Sequence, residues 1–178
     1  MFGVPSMGIG KACGRLQNYS KIMGCSGLMG TNQNVRLMDK SDLEPCSELM
    51  LKVFSGEPWF DQWDSVLHVQ QYLAEFMDNP VFMGFVIEQE GKILGASFGH
   101  TKSWYSGKEY CIQEYYIDTD LQGGGLGSAL MHGIKGYLKS INIHCMVLLT
   151  EKDLPAEDFY RKHGFEVKKD IIFMANRF

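Results

Sequence analysis

The chain predicts an α/β domain of the α+β kind, and three observations carry that expectation. Apolar residues recur at helical spacing in four segments, as at Leu126, Leu130, Ile134, Tyr137 and Leu138. Strand-like runs between 81 and 118 are separated by Gly-containing turns at Glu90-Gly91-Lys92 and Tyr105-Ser106-Gly107, the pattern of an antiparallel meander. A glycine-dense turn, Gln122-Gly123-Gly124-Gly125-Leu126-Gly127, then joins a strand directly to a helix. From Asn34 the order is β-α-α-β-β-β-α-β-α-β-β.

Each element has a local cause. Val35-Arg36-Leu37-Met38 is a short strand. Ser41 and Glu44 have capping-box spacing, which starts a helix running to about Phe54 with Cys46, Leu49, Met50 and Val53 inward. A second helix, about Ser65 to Met77, buries Val66, Val69, Leu73 and Phe76. Strands follow at Val81–Glu88, Ile93–Ser103 and Glu109–Asp118, then a helix from Gly125 to Ser140. The continuous apolar run Cys145–Leu149 predicts a strand buried on both faces. Pro155 suits a first helical turn, and Gly164 after His163 supplies its C-cap. Val167 and Ile171–Met174 complete the strands. Residues 1–32, rich in Gly, Met and Ser, are expected to form a flexible arm or leader outside the domain at 33–178, with Met29 an alternative start.

Composition narrows the function. A chain of 178 residues is long enough to bury roughly 70% of its unfolded surface. A net charge of −4 argues against nucleic acid, which needs a basic surface, and mildly favours an amine-bearing ligand. The five cysteines include no Cys-x-x-Cys pair and no zinc-like His cluster, so they are expected to be reduced thiols of a cytoplasmic protein without a metal. No apolar run approaches the roughly 20 residues of a membrane span, and the first residues lack a signal-peptide pattern.

The turn carries the chemistry. Unpaired N–H groups at a helix start, aided by the macrodipole, attract anionic oxygens, and glycine allows the backbone to approach them. The spacings of a nucleotide P-loop and of a dinucleotide fingerprint are absent. The spacing present, Gln-x-x-Gly-x-Gly, resembles the coenzyme A pyrophosphate loop of the GNAT acetyltransferases, with Gln122, Gly125 and Gly127 at its defining positions. Downstream, Ala156, Phe159-Tyr160 and Gly164-Phe165 resemble that family's later signature, and the order of elements matches over about four-fifths of the chain. The chain departs from the pattern twice. Gly124 stands where Lys or Arg is common, and Asp153 where many members carry Asn.

The resemblance implies the GNAT fold, a mixed sheet of six to seven strands flanked by about four helices. It implies acetyl-CoA as co-substrate, bound by Tyr116, Ile117, Asp118, Gln122, Gly123, Gly124, Gly125, Leu126, Gly127, Ser128 and Asp153. Pantetheine is expected along Tyr116–Asp118, where that strand splays from its neighbour, with the Ile117 N–H polarising the thioester carbonyl. Tyr160 is the implied general acid; the alternative is a packed aromatic beside Phe159. Glu114, a carboxylate in an otherwise apolar strand, is the candidate base or else a paired or substrate-orienting group. Glu57, Trp59, Asp61 and Trp63 form a candidate wall for a cationic acceptor, or ordinary lid packing. The expected activity is acetyl transfer to a primary amine of a small molecule, loosely similar to aminoglycoside 6′-type enzymes. A peptide acetyltransferase and a non-enzymatic CoA sensor are the alternatives. The final strands offer a route to a homodimer that the sequence does not require.

Overall fold

Strand phase divides the sheet into two apolar faces. In the computed structural model, which describes residues 33–178, Phe85 and Ile87 pack on one side with Leu130, Ile134 and Leu138, while Val86 packs on the other with Met50, Val69 and Leu73. Alternation along one strand therefore feeds two cores. The arm expected at 1–32 lies outside the described residues.

The strands are β1 Gln33–Leu37, β2 Phe85–Gln89, β3 Lys92–Trp104, β4 Gly107–Ile117 and β5 Cys145–Val147. The helices are α1 Leu43–Phe54, α2 Val66–Met77, α3 Leu126–Ser140 and α4 Pro155–Lys162. Sheet order is β1-β2-β3-β4-β5, antiparallel except for the parallel β4–β5 pair. Helices α1 and α2 cover one face, and α3 with α4 the other.

Three expectations about the strands change. The mixed sheet has five strands among the described residues, not six to seven. Val167 and Ile171–Met174 form no strand and remain exposed. Strand propensity needs cross-strand partners and a buried face, and these residues find neither. For the same reason β5 stops at Val147 and is not buried on both faces; Leu149 is 77% exposed.

Entry into α1 also differs. The reciprocal cap is made by Asp39 and Asp42, two residues before the Ser41–Glu44 pair, around a 3₁₀ turn at Lys40–Asp42. Arg36 decides this. Its guanidinium holds the buried Asp42 carboxylate through two bonds of 2.7 and 2.8 Å and also reaches Glu88. Elsewhere Ser65 caps α2, and Gly164, expected as the C-cap of α4, follows it in the left-handed region.

One irregularity positions a candidate site side chain. Glu114 pairs with Phe98 and Ile112 with Gly99, so Gln113 is an extra residue in β4. Before this bulge Tyr110 and Ile112 face α3; after it Tyr115 and Ile117 do. Tyr116 is thereby turned to the α1–α2 face, and Glu114, two residues before it, shares that face.

Candidate active site

The β4–β5 ladder ends at Cys111 and Val147, while β4 continues to Ile117. Past Val147 the β5 side of β4 is open. Asp118 donates its N–H to Leu94 at 2.9 Å, and Gly95 lies opposite Ile117. Antiparallel bonding alternates, so the Ile117 N–H and C=O point away from β3, toward the open side. The Ile117 carbonyl accepts from Gln122 Nε2 at 3.2 Å, leaving the N–H available there. Gln122 thus ties the turn to the strand end.

The turn delivers a bare helix start. Gly125 is the N-cap of α3 at φ +88° and Gly123 has φ +78°, conformations that side chains resist. The first intrahelical bond runs from Ala129 N–H to the Gly125 carbonyl, and no side chain of the described residues caps this end. The amides of Leu126, Gly127 and Ser128 therefore precede the helix ladder. Gly127 has a different reason to be glycine: a Cβ would sit 3.2 Å from the Phe159 ring. Gly124 has no unusual dihedral, and its Cβ would meet only the Leu121 carbonyl, at 3.3 Å.

Several groups brace this turn. Tyr115 Oη donates to the Gly127 carbonyl at 2.6 Å. Ser128 Oγ pairs with His163 Nε2 at 3.0 Å, joining α3 to the end of α4. Asp118 is buried and accepts from Lys52 and from the Asp120 N–H. Burial works to raise its carboxyl, but the Lys52 ammonium and that N–H outweigh it, and the net shift is downward. The Asp118 side chain is thus an anchor for the turn. Asp153 lies exposed before α4 at φ +64°, its N–H donating to Glu157.

Glu114 and Tyr160 approach from opposite sides of β4. Tyr160 rests among Tyr115, Phe159 and Phe165, with ring centroids 5.4 to 6.2 Å apart. Its hydroxyl makes no hydrogen bond among the described residues. Burial, then the charge of Glu114, raises its pKa, so the phenol stays protonated. Burial also raises Glu114, opposed by a hydrogen bond from Tyr72 and reinforced by the charge of Asp61.

The acceptor-wall candidates separate into two groups. Asp61 acts electrostatically on Glu114, and Trp63 packs at a tilt 5.2 Å from Tyr72, which bonds Glu114. Among the described residues the Trp63 indole N–H is sealed from solvent and finds no partner. Trp59 instead lies against Phe54, at 5.6 Å, and Glu57 is exposed. Tyr72 was invisible to pattern reasoning, because its partner lies 42 residues away. Among the described residues no group of three or more His, Cys, Asp or Glu is placed to hold a metal, and no helix is long and apolar enough to cross a membrane.

The sequence profile of the Acetyltransferase (GNAT) family matches residues 43–165, from α1 through the close of α4. The chain belongs to this family. Among GNAT relatives, a mycothiol acetyltransferase of Arthrobacter is 33% identical over 97 residues, 52% of this chain and 30% of that protein. An uncharacterized N-acetyltransferase of Methanocaldococcus jannaschii is 28% identical over 144 residues, 77% of this chain and 62% of that protein. The chain therefore spans less than two thirds of both relatives. The GNAT fold is shared with the aminoglycoside N-acetyltransferase AAC(6′)-Iy in complex with CoA, at TM-score 0.66 and 16% identity, covering 84% of this chain and 97% of that one.

Proposed function

We propose that this GNAT protein is an acetyl-CoA-dependent N-acetyltransferase that acts on a primary amine of a small molecule by direct attack. One observation carries the reading: an uncapped helix start and an outward-facing strand amide meet at the same open edge, flanked by Glu114 and Tyr160. The residues fit coenzyme A, because space within 4 Å is free where a Cβ would stand at Gly123 and Gly125.

Acetyl-CoA supplies the activated acyl group as a thioester. The amides of Leu126, Gly127 and Ser128 offer donors to its diphosphate, within the positive end of α3. Gln122 and Tyr115 hold that turn against β4. The Ile117 N–H supplies a fixed donor for the acyl oxygen, strongest as charge develops there. Glu114 takes a proton from the incoming ammonium, and its raised pKa brings it nearer the operating pH. As the C–N bond forms and the C–S bond breaks, Tyr160 Oη gives a proton to the departing sulfur, and the second proton shed by the acylated nitrogen restores the phenol through solvent. Asp61 and Glu114 together attract a cation to the Trp63–Tyr72 wall. An aminoglycoside, as in the named activity of the CoA-bound neighbour, has the charge this wall suits.

Thiol release from acetyl-CoA, screened across aminoglycosides, polyamines, amino acids and peptides, tests this. Turnover is expected with an amine-bearing small molecule. Release with peptides alone favours a peptide acetyltransferase; release with none, despite calorimetric binding of acetyl-CoA, favours a sensor. The outer edge of β5, unpaired among the described residues, and the exposed Ile171–Met174 run support a homodimer, checked by light scattering.

A further inference from the structure

Among the described residues the Glu114 carboxylate takes one hydrogen bond, from another element. Tyr72 Oη, on α2, donates to Glu114 Oε1 at 2.5 Å, the short end for a bond to a charged acceptor. The Tyr72 ring is itself gripped, 5.2 Å from Trp63 and 5.0 Å from Phe76. Trp63 and Phe76 also pack on the α1–α2 core, so the donor sits on a rigid mount. Glu114 has no second hydrogen-bond partner among the described residues, and neither of its oxygens is sealed from solvent without one.

We propose that Tyr72 is a positioning residue for acetyl transfer: it occupies one oxygen of Glu114 and so turns the other toward the acceptor amine. The inference rests on the role proposed above for Glu114. A carboxylate on a strand has a broad terminal torsion, and a single directed donor selects one orientation of it. Tyr72 suits the task because burial, followed by its bond to Glu114, raises its pKa and keeps the donor proton in place. The titratable groups acting on this pair are few. Asp61 acts on both from the α1–α2 loop, Glu75 of α2 acts on Tyr72, and Tyr160 of α4 and Tyr116 of β4 feel the charge of Glu114.

The test needs no acceptor. The full chain, labelled with 13Cδ-glutamate, is titrated by NMR without ligand, and the Glu114 signal is identified by its loss in Glu114→Gln. In Tyr72→Phe, which keeps the ring between Trp63 and Phe76, the Glu114 midpoint is expected to rise by about one pH unit, since the charged form loses its donor. An unmoved or lowered midpoint overturns the proposal. A second measurement avoids the variant: the Tyr72 Cζ signal of the unaltered chain is expected to titrate with the Glu114 midpoint. Independent titration of the two overturns the proposal as well. Because neither readout involves turnover, failure of the thiol-release screen and failure of this tie are separate results.

Discussion

Burial and the neighbouring Asp61 make charged Glu114 a burden on the folded state. Its folded pKa lies above the unfolded one, so as pH rises the unfolded chain releases its proton first. Stability therefore falls from the unfolded pKa up to the folded pKa and is level beyond it. Glu114→Gln retains an acceptor for Tyr72 without the charge. It is expected to gain about 1 kcal/mol at about pH 8 and nothing at about pH 3, read from urea unfolding at both. A gain of equal size at both pH values would detach the effect from ionisation. For Tyr160→Phe, turnover is expected to fall about a hundredfold with acetyl-CoA affinity unchanged, in steady-state kinetics and calorimetry. Undiminished turnover would remove Tyr160 as the acid. Glu114 and Tyr160 could be picked from the sequence because each breaks or completes a local pattern. Tyr72 breaks none; it occupies an aromatic position on an amphipathic helix, and only packing reveals its hydroxyl.

At the scale of the element, the turn before α3 separates its glycines by what each must avoid. Gly125→Val forces a branched side chain to φ +88°, and Gly127→Val drives a methyl group toward Phe159. Both are expected to weaken acetyl-CoA binding at least about a hundredfold, the second by displacing α4. Gly124 has no left-handed φ, and a Cβ there would lie 3.3 Å from the Leu121 carbonyl rather than against a ring. Gly124→Arg is expected to fold normally and to bind acetyl-CoA up to about tenfold more tightly, through one added cation beside the diphosphate. Calorimetry on the three variants distinguishes them; equal losses in all would show that the turn tolerates no side chain at all. The boundaries of α2, α3 and α4 were legible because capping and left-handed glycine are decided within a few residues. The braces Lys52–Asp118 and Ser128–His163 were not, since they join positions 66 and 35 apart.

Across the whole molecule, Arg36 ties β1 to β2 and to the entrance of α1 through Glu88 and Asp42. Asp42 is 4% exposed, so removing its cation strands a buried carboxylate. Arg36→Leu is expected to cost about 3 kcal/mol, seen as a lower urea midpoint with an unchanged slope. A loss below about 0.5 kcal/mol would mean that Asp42 finds water or another donor. Sequence patterning anticipated Val35 and Leu37 as strand residues but treated Arg36 as one more strand position. The strand total was also set at this scale, since residues near the chain end have β propensity but no ladder to join.

The amino-acid order alone determined four helices, the central strands and the glycine turn that begins α3. Those features depend on backbone dihedrals and apolar period, which neighbours in the chain decide. Tertiary structure alone decided that β4 carries an extra residue at Gln113, which turns Glu114 toward α2 and Tyr72. A one-residue change of strand phase reverses every side chain beyond it, and its location depends on the register with β3, which residues of β4 do not encode by themselves.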